Sequence, residues 1–422
     1  MMEVIKHFKK LSQIPHCSFD TALMKDFLID YAKAQNYEVQ TDKAGNILCS
    51  KGNPKICLQS HYDMVCMGDA PKIELFEEDG FLKGKNSSIG ADNGMGVALM
   101  MQMMKQFDHL ECLFTNDEEV GLLGANGLEL KLKASRLLNL DHEDENEVII
   151  GCAGGVDLKA ELRYETKELE AQVYELEAQG FKGGHSGIDI INNVKSSIKE
   201  MAKFISKNKG KIIEFNAGER INSIAKFAKV LVCFENPPKE NKHIKCTFLG
   251  EKKVKICQQS DKVLAAINAF AQGVRAYSKD LSIVQSSINL SIVKMQDEKI
   301  IFELFARSNV LEELESLEFE TKVFFENFGF EVSSYNFYPP WEGQRNEFSD
   351  KVFEILAKHI KEPKILAVHA GLECGIIEKK QKLLCASIGP NIYNPHSTDE
   401  RCELSSVEKM TQIVEEVIKA HQ

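Results

Sequence analysis

The sequence predicts an α/β domain with a largely parallel sheet, interrupted by an α+β domain. Near the N-terminus, short apolar runs that end in polar residues alternate with helical patterns. The middle of the chain reads instead as many strands with few helices. The stretch "YPPWEG" (338–343) is a rigid, turn-rich join that returns the chain to the first domain. With 422 residues the chain is long for one core, so two domains are expected. Their limits are placed at 1–154 and 338–422 for the first domain and 155–337 for the second.

The opening stretch, "MMEVIKHFKKLSQIPHC", alternates charge with apolar residues and reads as an amphipathic helix without a signal-peptide core. "KICLQS" (55–60) fits a buried strand ending at His61, and "LECLFT" (110–115) a second ending near Asp117. "RLLNL" (136–140) fits a third, ending at Asp141. Between the first two lies "GADNGMGVALMMQMMKQF" (90–107), in which Val97, Met101 and Met104 recur at helical spacing. Ligands in such sheets bind beyond the carboxyl ends of the strands, where His61 and these acids fall. In the middle of the chain, strands are expected at 173–180, 225–235, 244–249, 283–294 and 299–306. Helices are expected near 190–208, 261–275 and 309–328. Val194, Ile198, Met201 and Ile205 give the first helix its apolar face. "ENPPKENK" (235–242) reads as a surface loop. The last segment is an amphipathic helix buried through Val407, Met410, Val414 and Val417, with Ser405 and Glu408 at capping-box spacing.

A net charge of −11, with no basic stretch to offset it, argues against nucleic acid and anionic membranes as partners. No apolar run approaches the length of a membrane span. The twelve cysteines include no C-x-x-C pair. Cys57, Cys112, Cys233 and Cys385 lie in apolar contexts, so buried free thiols and a cytoplasmic location are expected.

The chemistry is concentrated in a few stretches. In "SHYDMV", His61 and Asp63 are two apart and share one face of a strand. A ligating histidine needs its second ring nitrogen held by an acceptor, and a neighbouring carboxylate can do that. Asp92 in "GADNG" stands where the helix opens, a position that also suits a plain N-cap. "DEEVG" supplies Asp117, Glu118 and Glu119, "NLDHEDENE" supplies Asp141, and "NPHSTDE" supplies His396. Two imidazoles and several carboxylates suit zinc, cobalt or manganese. Three ligand carboxylates and a hydroxide would neutralise two divalent ions, so the core could be buried without a large solvation cost. One glutamate of the D-E-E run then binds metal while its neighbour stays off it as general base.

In order, H-x-D, G-A-D-N-G, D-E-E-x-G, an Asp after an apolar strand, G-G-H-S-G and a late P-H-S resemble the M20 family of dinuclear metallopeptidases. "GCAGGVD" (151–157), "KGGHSG" (182–187), "VHAGLECG" (368–375) and "SIGPNIYNPHS" (387–397) are similar to its aminoacyl-histidine dipeptidase branch, and the likeness runs from about residue 5 to 422. The resemblance implies a zinc-peptidase fold, phosphorylase/hydrolase-like, with an inserted α+β lid domain. It implies that His61, Asp92 and Asp141 hold one metal, and that Asp92 bridges to a second completed by Glu119 and His396. It further implies that Asp63 orients His61, that Glu118 is the general base, and that His185 stabilises the oxyanion. Asn222, Arg307 and Gly371 would contact substrate, with Arg307 on its carboxylate. The Asp92–Asn93 peptide is expected to be cis. Two divalent ions, zinc by default with cobalt or manganese as substitutes, are the implied cofactors. A small peptide is the implied substrate, and the resemblance admits a homodimer.

Other residues read as structural. His142 follows Asp141 but points to the other side of a strand. His369 reads as structural or supporting, His16 and His109 as surface residues, and the methionines of 95–104 as core. Nothing near Cys374 suggests an activated thiolate. Three functions remain open: an Xaa-His dipeptidase, a broader di-/tripeptidase or aminoacylase-like hydrolase, and a catalytically silent metal-binding scaffold.

Overall fold

The computed structural model describes residues 2–239, 241–279 and 283–422, so the loop expected over 235–242 lies partly outside the described residues. The chain forms two compact units. Unit 1 comprises Met1–Cys152, Trp341–Ala367 and Leu372–Gln422; unit 2 comprises Ala153–Pro340 and Val368–Gly371.

Among the described residues, unit 1 holds an eight-stranded sheet. Its order is Glu38–Thr41, Ile47–Lys51, Leu110–Thr115, Ile56–His61, Arg136–Asn139, Leu384–Ser387, Glu147–Cys152 and Lys364–Val368. The central pairings, from Leu110–Thr115 across to Leu384–Ser387, are parallel. Glu38–Thr41 with Ile47–Lys51, Ile47–Lys51 with Leu110–Thr115, and Leu384–Ser387 with Glu147–Cys152 are antiparallel, so the sheet is mixed. "ICLQSH" and "LECLFT" are buried along their whole length, as central parallel strands covered on both faces require. The helix Ala91–Gln106 is buried nearly all round, and its methionines fill the core beside Met2–Leu11. The final helix, Leu404–Lys419, buries Val407, Met410, Val414 and Val417 as expected. Its start differs from the capping-box expectation: Glu403 is the N-cap residue, and Ser405 Oγ donates to Glu403 Oε1 at 2.6 Å. Among the described residues no helix is long and apolar enough to cross a membrane.

Among its described residues, unit 2 is a nine-stranded antiparallel sheet. The helices Ser197–Lys207, Ser260–Ala269 and Leu311–Asn327 contribute Ile198, Met201, Val263, Ile267, Leu314 and Phe325 to its core. Three expectations are corrected here. The helix proposed to 275 stops at Ala269, and Gly273–Ser278 pairs with Ile283–Gln296. The helix proposed from 190 is a 3-10 turn at Ile190–Asn192 followed by Ser197–Lys207, which leaves Val194 outside it. Residues 368–371, placed by sequence in the first domain, belong to unit 2. His369 there is buried between Ser287 Oγ (2.7 Å) and Asn309 Oδ1 (3.1 Å), and Asn309 also donates to the Val368 carbonyl.

Cys57, Cys112, Cys233 and Cys385 are free and buried. Cys17 and Cys66, expected to be free, form a disulfide. Strand-like bridging of Cys17 to Met64 brings the two segments together. His16, expected at the surface, is buried in the same crossing, with Met64 N–H donating to its carbonyl at 3.1 Å.

Candidate metal centre

The three central strands of unit 1 deliver their polar ends to one place. His61 closes Ile56–His61, Asp141 follows Arg136–Asn139, and the D-E-E run follows Leu110–Thr115. Asp92 stands at the opening of Ala91–Gln106 with φ −83° and ψ 105°, outside helical geometry, and the Asp92–Asn93 peptide is cis. Gly96 allows this opening turn to approach the strand end, since a Cβ there would meet Asn93 Oδ1, Ser60 Oγ and the Leu140 carbonyl. Asn93 Nδ2 in turn donates to the Leu140 carbonyl at 3.0 Å and to Asp141 Oδ1.

His61 Nε2 lies 3.2 Å from Asp92 Oδ1 and 3.3 Å from Asp141 Oδ1. His396 Nε2 lies 3.0 Å from Asp92 Oδ2 and 2.8 Å from Glu119 Oε1. One aspartate therefore faces both imidazoles, one oxygen to each. His61, Glu118 and Glu119 form a further close group. Asp63 faces His61 Nδ1 through its carbonyl at 3.0 Å and its Oδ1 at 3.4 Å. The first acid of the D-E-E run, Asp117, turns away: it has φ 51°, and its carboxylate accepts from Phe19 N–H and Asn116 Nδ2. The three adjacent acids thus divide into one that braces a turn and two that join the cluster.

Two carboxylates of the centre were not singled out in the sequence. Glu143 follows Asp141 by two residues in the acidic stretch "DHEDENE". It is half-buried, and burial followed by the charge of Asp92 pushes its carboxyl well above the ordinary range. Glu373 is fully buried; its Oε2 accepts from Gln59 Nε2 and Thr115 Oγ1, both at 2.6 Å. Its carboxyl is pushed up to about 7, by burial first. Neither has a short-range sequence signal. By contrast His142 pairs with Glu147 at 2.9 Å, and burial pushes the Cys374 thiol well above its ordinary range.

The electrostatics describe a cluster with too much negative charge. Burial raises Glu118 well above the usual carboxylate range and Glu119 to about 7. His396 is pushed up to about 12: burial opposes its charge, but the bonds to Asp92 and Glu119 outweigh it. Two imidazoles stand against seven carboxyl groups: Asp63, Asp92, Glu118, Glu119, Asp141, Glu143 and Glu373. Burial opposes a charge on His61, but Asp141, Asp63 and Asp92 outweigh it and push its pKa well above the ordinary value, so its Nε2 proton faces two carboxylate oxygens. A divalent cation would take the place of that proton. The residues fit divalent metal ions by donor type, spacing and charge.

Unit 2 gathers its own polar group. The short strand Gly184–His185 pairs with Ser223–Ile224, and Ser186 N–H donates to the Asn222 carbonyl at 2.8 Å. His185 Nδ1 faces two backbone donors, Gly187 N–H at 3.3 Å and Ile188 N–H at 3.2 Å, so the ring proton belongs on Nε2. Nε2 lies 3.5 Å from Arg307 Nη2. Arg307 is only 5% exposed; it donates to Tyr338 Oη at 3.2 Å and stacks on Phe305. Its Nε is buried with no acceptor among the described residues. Gly371 lies against the Tyr338 ring, where a Cβ would be 3.1 Å away.

An α/β domain whose strand ends gather two imidazoles and a surplus of carboxylates has the site of a metal-dependent hydrolase. The model of Peptidase family M20/M25/M40 matches residues 57–420, and the chain belongs to that family. It is a metallopeptidase, an enzyme that hydrolyses peptide bonds. The cytosol non-specific dipeptidase of Escherichia coli (strain K12) is 27% identical, over 98% of this chain and 96% of that protein. Among solved structures, aminoacylhistidine dipeptidase from Vibrio alginolyticus matches with a TM-score of 0.78 and 26% identity, covering 100% of this chain and 96% of that one. A tripeptidase from Staphylococcus aureus shares the fold, with a TM-score of 0.62 and 18% identity over 99% of this chain and 98% of that one.

Proposed function

We propose that the protein hydrolyses unblocked dipeptides, Xaa-His among them, at a centre of two divalent ions in unit 1. The observation that carries this is Asp92, placed with one oxygen toward His61 and the other toward His396. In this reading His61, Asp92 and Asp141 hold one ion, and Asp92, Glu119 and His396 hold the other. Zinc is the default ion, with cobalt or manganese able to take the same donors. When bound, the ions supply an acidified water and polarise the substrate carbonyl.

The remaining steps fall to the chain's own groups. Asp63 holds His61 through Nδ1. Glu118 takes a proton from the attacking water and passes it to the amine nitrogen as the C–N bond breaks. His185 donates its Nε2 proton in a hydrogen bond to the carbonyl oxygen as negative charge develops there. The buried guanidinium of Arg307, with an unpartnered Nε, suits the carboxylate of a short peptide. Asn222 and Gly371 complete the substrate contacts. The domain limits read from the sequence correspond in this proposal to a catalytic domain and an inserted lid.

Xaa-His specificity is supported by the name of the Vibrio alginolyticus relative, and a broader range by the "non-specific" Escherichia coli one. The latter's cytosolic name also supports a cytoplasmic location. The experiment is hydrolysis of Ala-His, carnosine, Gly-Gly-Gly and an N-acetyl amino acid by enzyme as isolated, chelated, and resupplied with zinc. Histidine release from the first two, lost on chelation and restored by zinc, is expected. Metal-dependent activity confined to the tripeptide or acetyl substrate would move the specificity to the broader reading. No activity with two ions bound would support a silent scaffold.

A further inference from the structure

We propose that Glu400 is a positioning residue for the metal centre, fastening the Asp92 segment and the His396 loop to each other through one buried carboxylate. This rests on the reading that Asp92 and His396 are ligands. Glu400 is 2% exposed. Its Oε2 accepts the N–H groups of Ile89 (2.7 Å) and Gly90 (3.0 Å). Its Oε1 accepts those of Ala91 (2.8 Å) and Asp92 (3.3 Å). Four consecutive backbone donors thus end on a single side chain.

That arrangement has a specific consequence for Asp92. The first N–H groups of a helix have no acceptor inside it. Here Asp92 and Asn93 also depart from helical φ/ψ, so the helix itself does not set the direction of the Asp92 side chain. Glu400 fixes the backbone on which that side chain stands.

The other end of the link is the His396 loop. Glu400 is four residues beyond His396, in the turn joining Ile392–Tyr393 to Arg401–Glu403. The turn is braced internally: Glu400 N–H donates to the Ser397 carbonyl at 3.3 Å, and Ser397 Oγ donates to the Asn394 carbonyl at 2.7 Å. Asp399 N–H donates to Ser397 Oγ at 3.1 Å. Movement of the Asp92 segment is thereby transmitted to the loop. Asp92 and His396 are 304 residues apart in sequence, yet their ligand atoms are held 3.0 Å apart.

A glutamine at this position keeps the size but offers one acceptor oxygen, and its NH2 group opposes two backbone donors. An aspartate keeps both acceptors on a shorter stem. The test compares wild type, Glu400→Gln and Glu400→Asp in the metal-free form by thermal unfolding. Zinc affinity is then measured against a chromophoric chelator, and the visible spectrum of the cobalt-loaded protein is recorded. Glu400→Gln is expected to fold, to bind zinc about 10- to 100-fold more weakly, and to shift the cobalt bands. Its kcat should fall with little change in KM, and Glu400→Asp should lie between. Wild-type zinc affinity and cobalt bands in both variants would overturn the proposal, whatever their stability. So would failure of both to fold without metal, which would make Glu400 a determinant of folding alone. A wild-type protein that binds no zinc would instead overturn the ligand reading beneath it.

Discussion

The Asp63 carboxylate lies 3.4 Å from His61 Nδ1 through Oδ1, and the same oxygen accepts the Glu118 N–H at 3.0 Å. Its other oxygen accepts from Ser18 Oγ at 2.8 Å and Glu119 N–H at 3.4 Å. One buried side chain therefore orients an imidazole and the backbone of the two glutamates that follow the neighbouring strand. Asp63→Asn replaces an acceptor by an amide that cannot serve all these donors. It should weaken metal binding and lower kcat, each by about 10- to 100-fold. Parallel zinc titration and steady-state kinetics check this; an unchanged zinc affinity would limit Asp63 to the proton-transfer step.

Glu118 and Glu119 are adjacent but should fail differently. Glu118→Gln should lower kcat by about 100- to 10,000-fold while two equivalents of zinc remain bound. Glu119→Gln should lose an equivalent of zinc, because its Oε1 is the atom facing His396. Elemental analysis of both proteins beside their turnover rates separates the roles. Equal metal loss in the two would sink the assignment.

Removal of metal should also cost stability. The buried carboxylates repel one another unless cations separate them, so zinc should raise the unfolding temperature. At zinc concentrations 100 times the dissociation constant, linkage gives about 2.7 kcal/mol per site. Thermal unfolding across a zinc series measures it, and a flat series would argue against binding at this cluster.

His369 gives a pH signature outside the centre. Burial, then the charge of Arg307, holds its pKa down to about 3, against an ordinary 6.5. Below about 6.5 the unfolded chain takes up a proton that the folded chain refuses. Stability should therefore fall as pH drops through 6.5 toward 3. His369→Gln should show a shallower fall over that range in unfolding experiments. Parallel profiles for the two proteins would mean that His369 is charged in the folded state.

The Cys17–Cys66 bond closes a sequence separation of 49 residues. Chain entropy alone gives about 4 kcal/mol for a loop of that size. A reductant should lower the unfolding temperature of the wild type and leave a Cys17→Ser, Cys66→Ser protein unmoved. Equal responses would show that the two thiols are not joined in solution.

The amino-acid sequence by itself determined the strands that matter most. "ICLQS", "LECLFT" and "RLLN" are buried along nearly their whole length because both faces are covered, and each run ends beside a polar residue of the centre. Those endings, with the ordered family motifs, single out His61, Asp92, Glu119, Asp141 and His396, whose ligand-type atoms lie close together in the structure. What lay beyond sequence had no local periodicity to announce it. Gly154–Arg163 and Glu331–Tyr338 were not foreseen as strands, because their pairing is decided by partners far along the chain. The burial of Glu143 and Glu373, and the grip of Glu400 on residues 89–92, depend on segments as much as 314 residues apart. A carboxylate's neighbours, unlike an apolar stripe, are chosen by tertiary structure, because its partners need only be near in space.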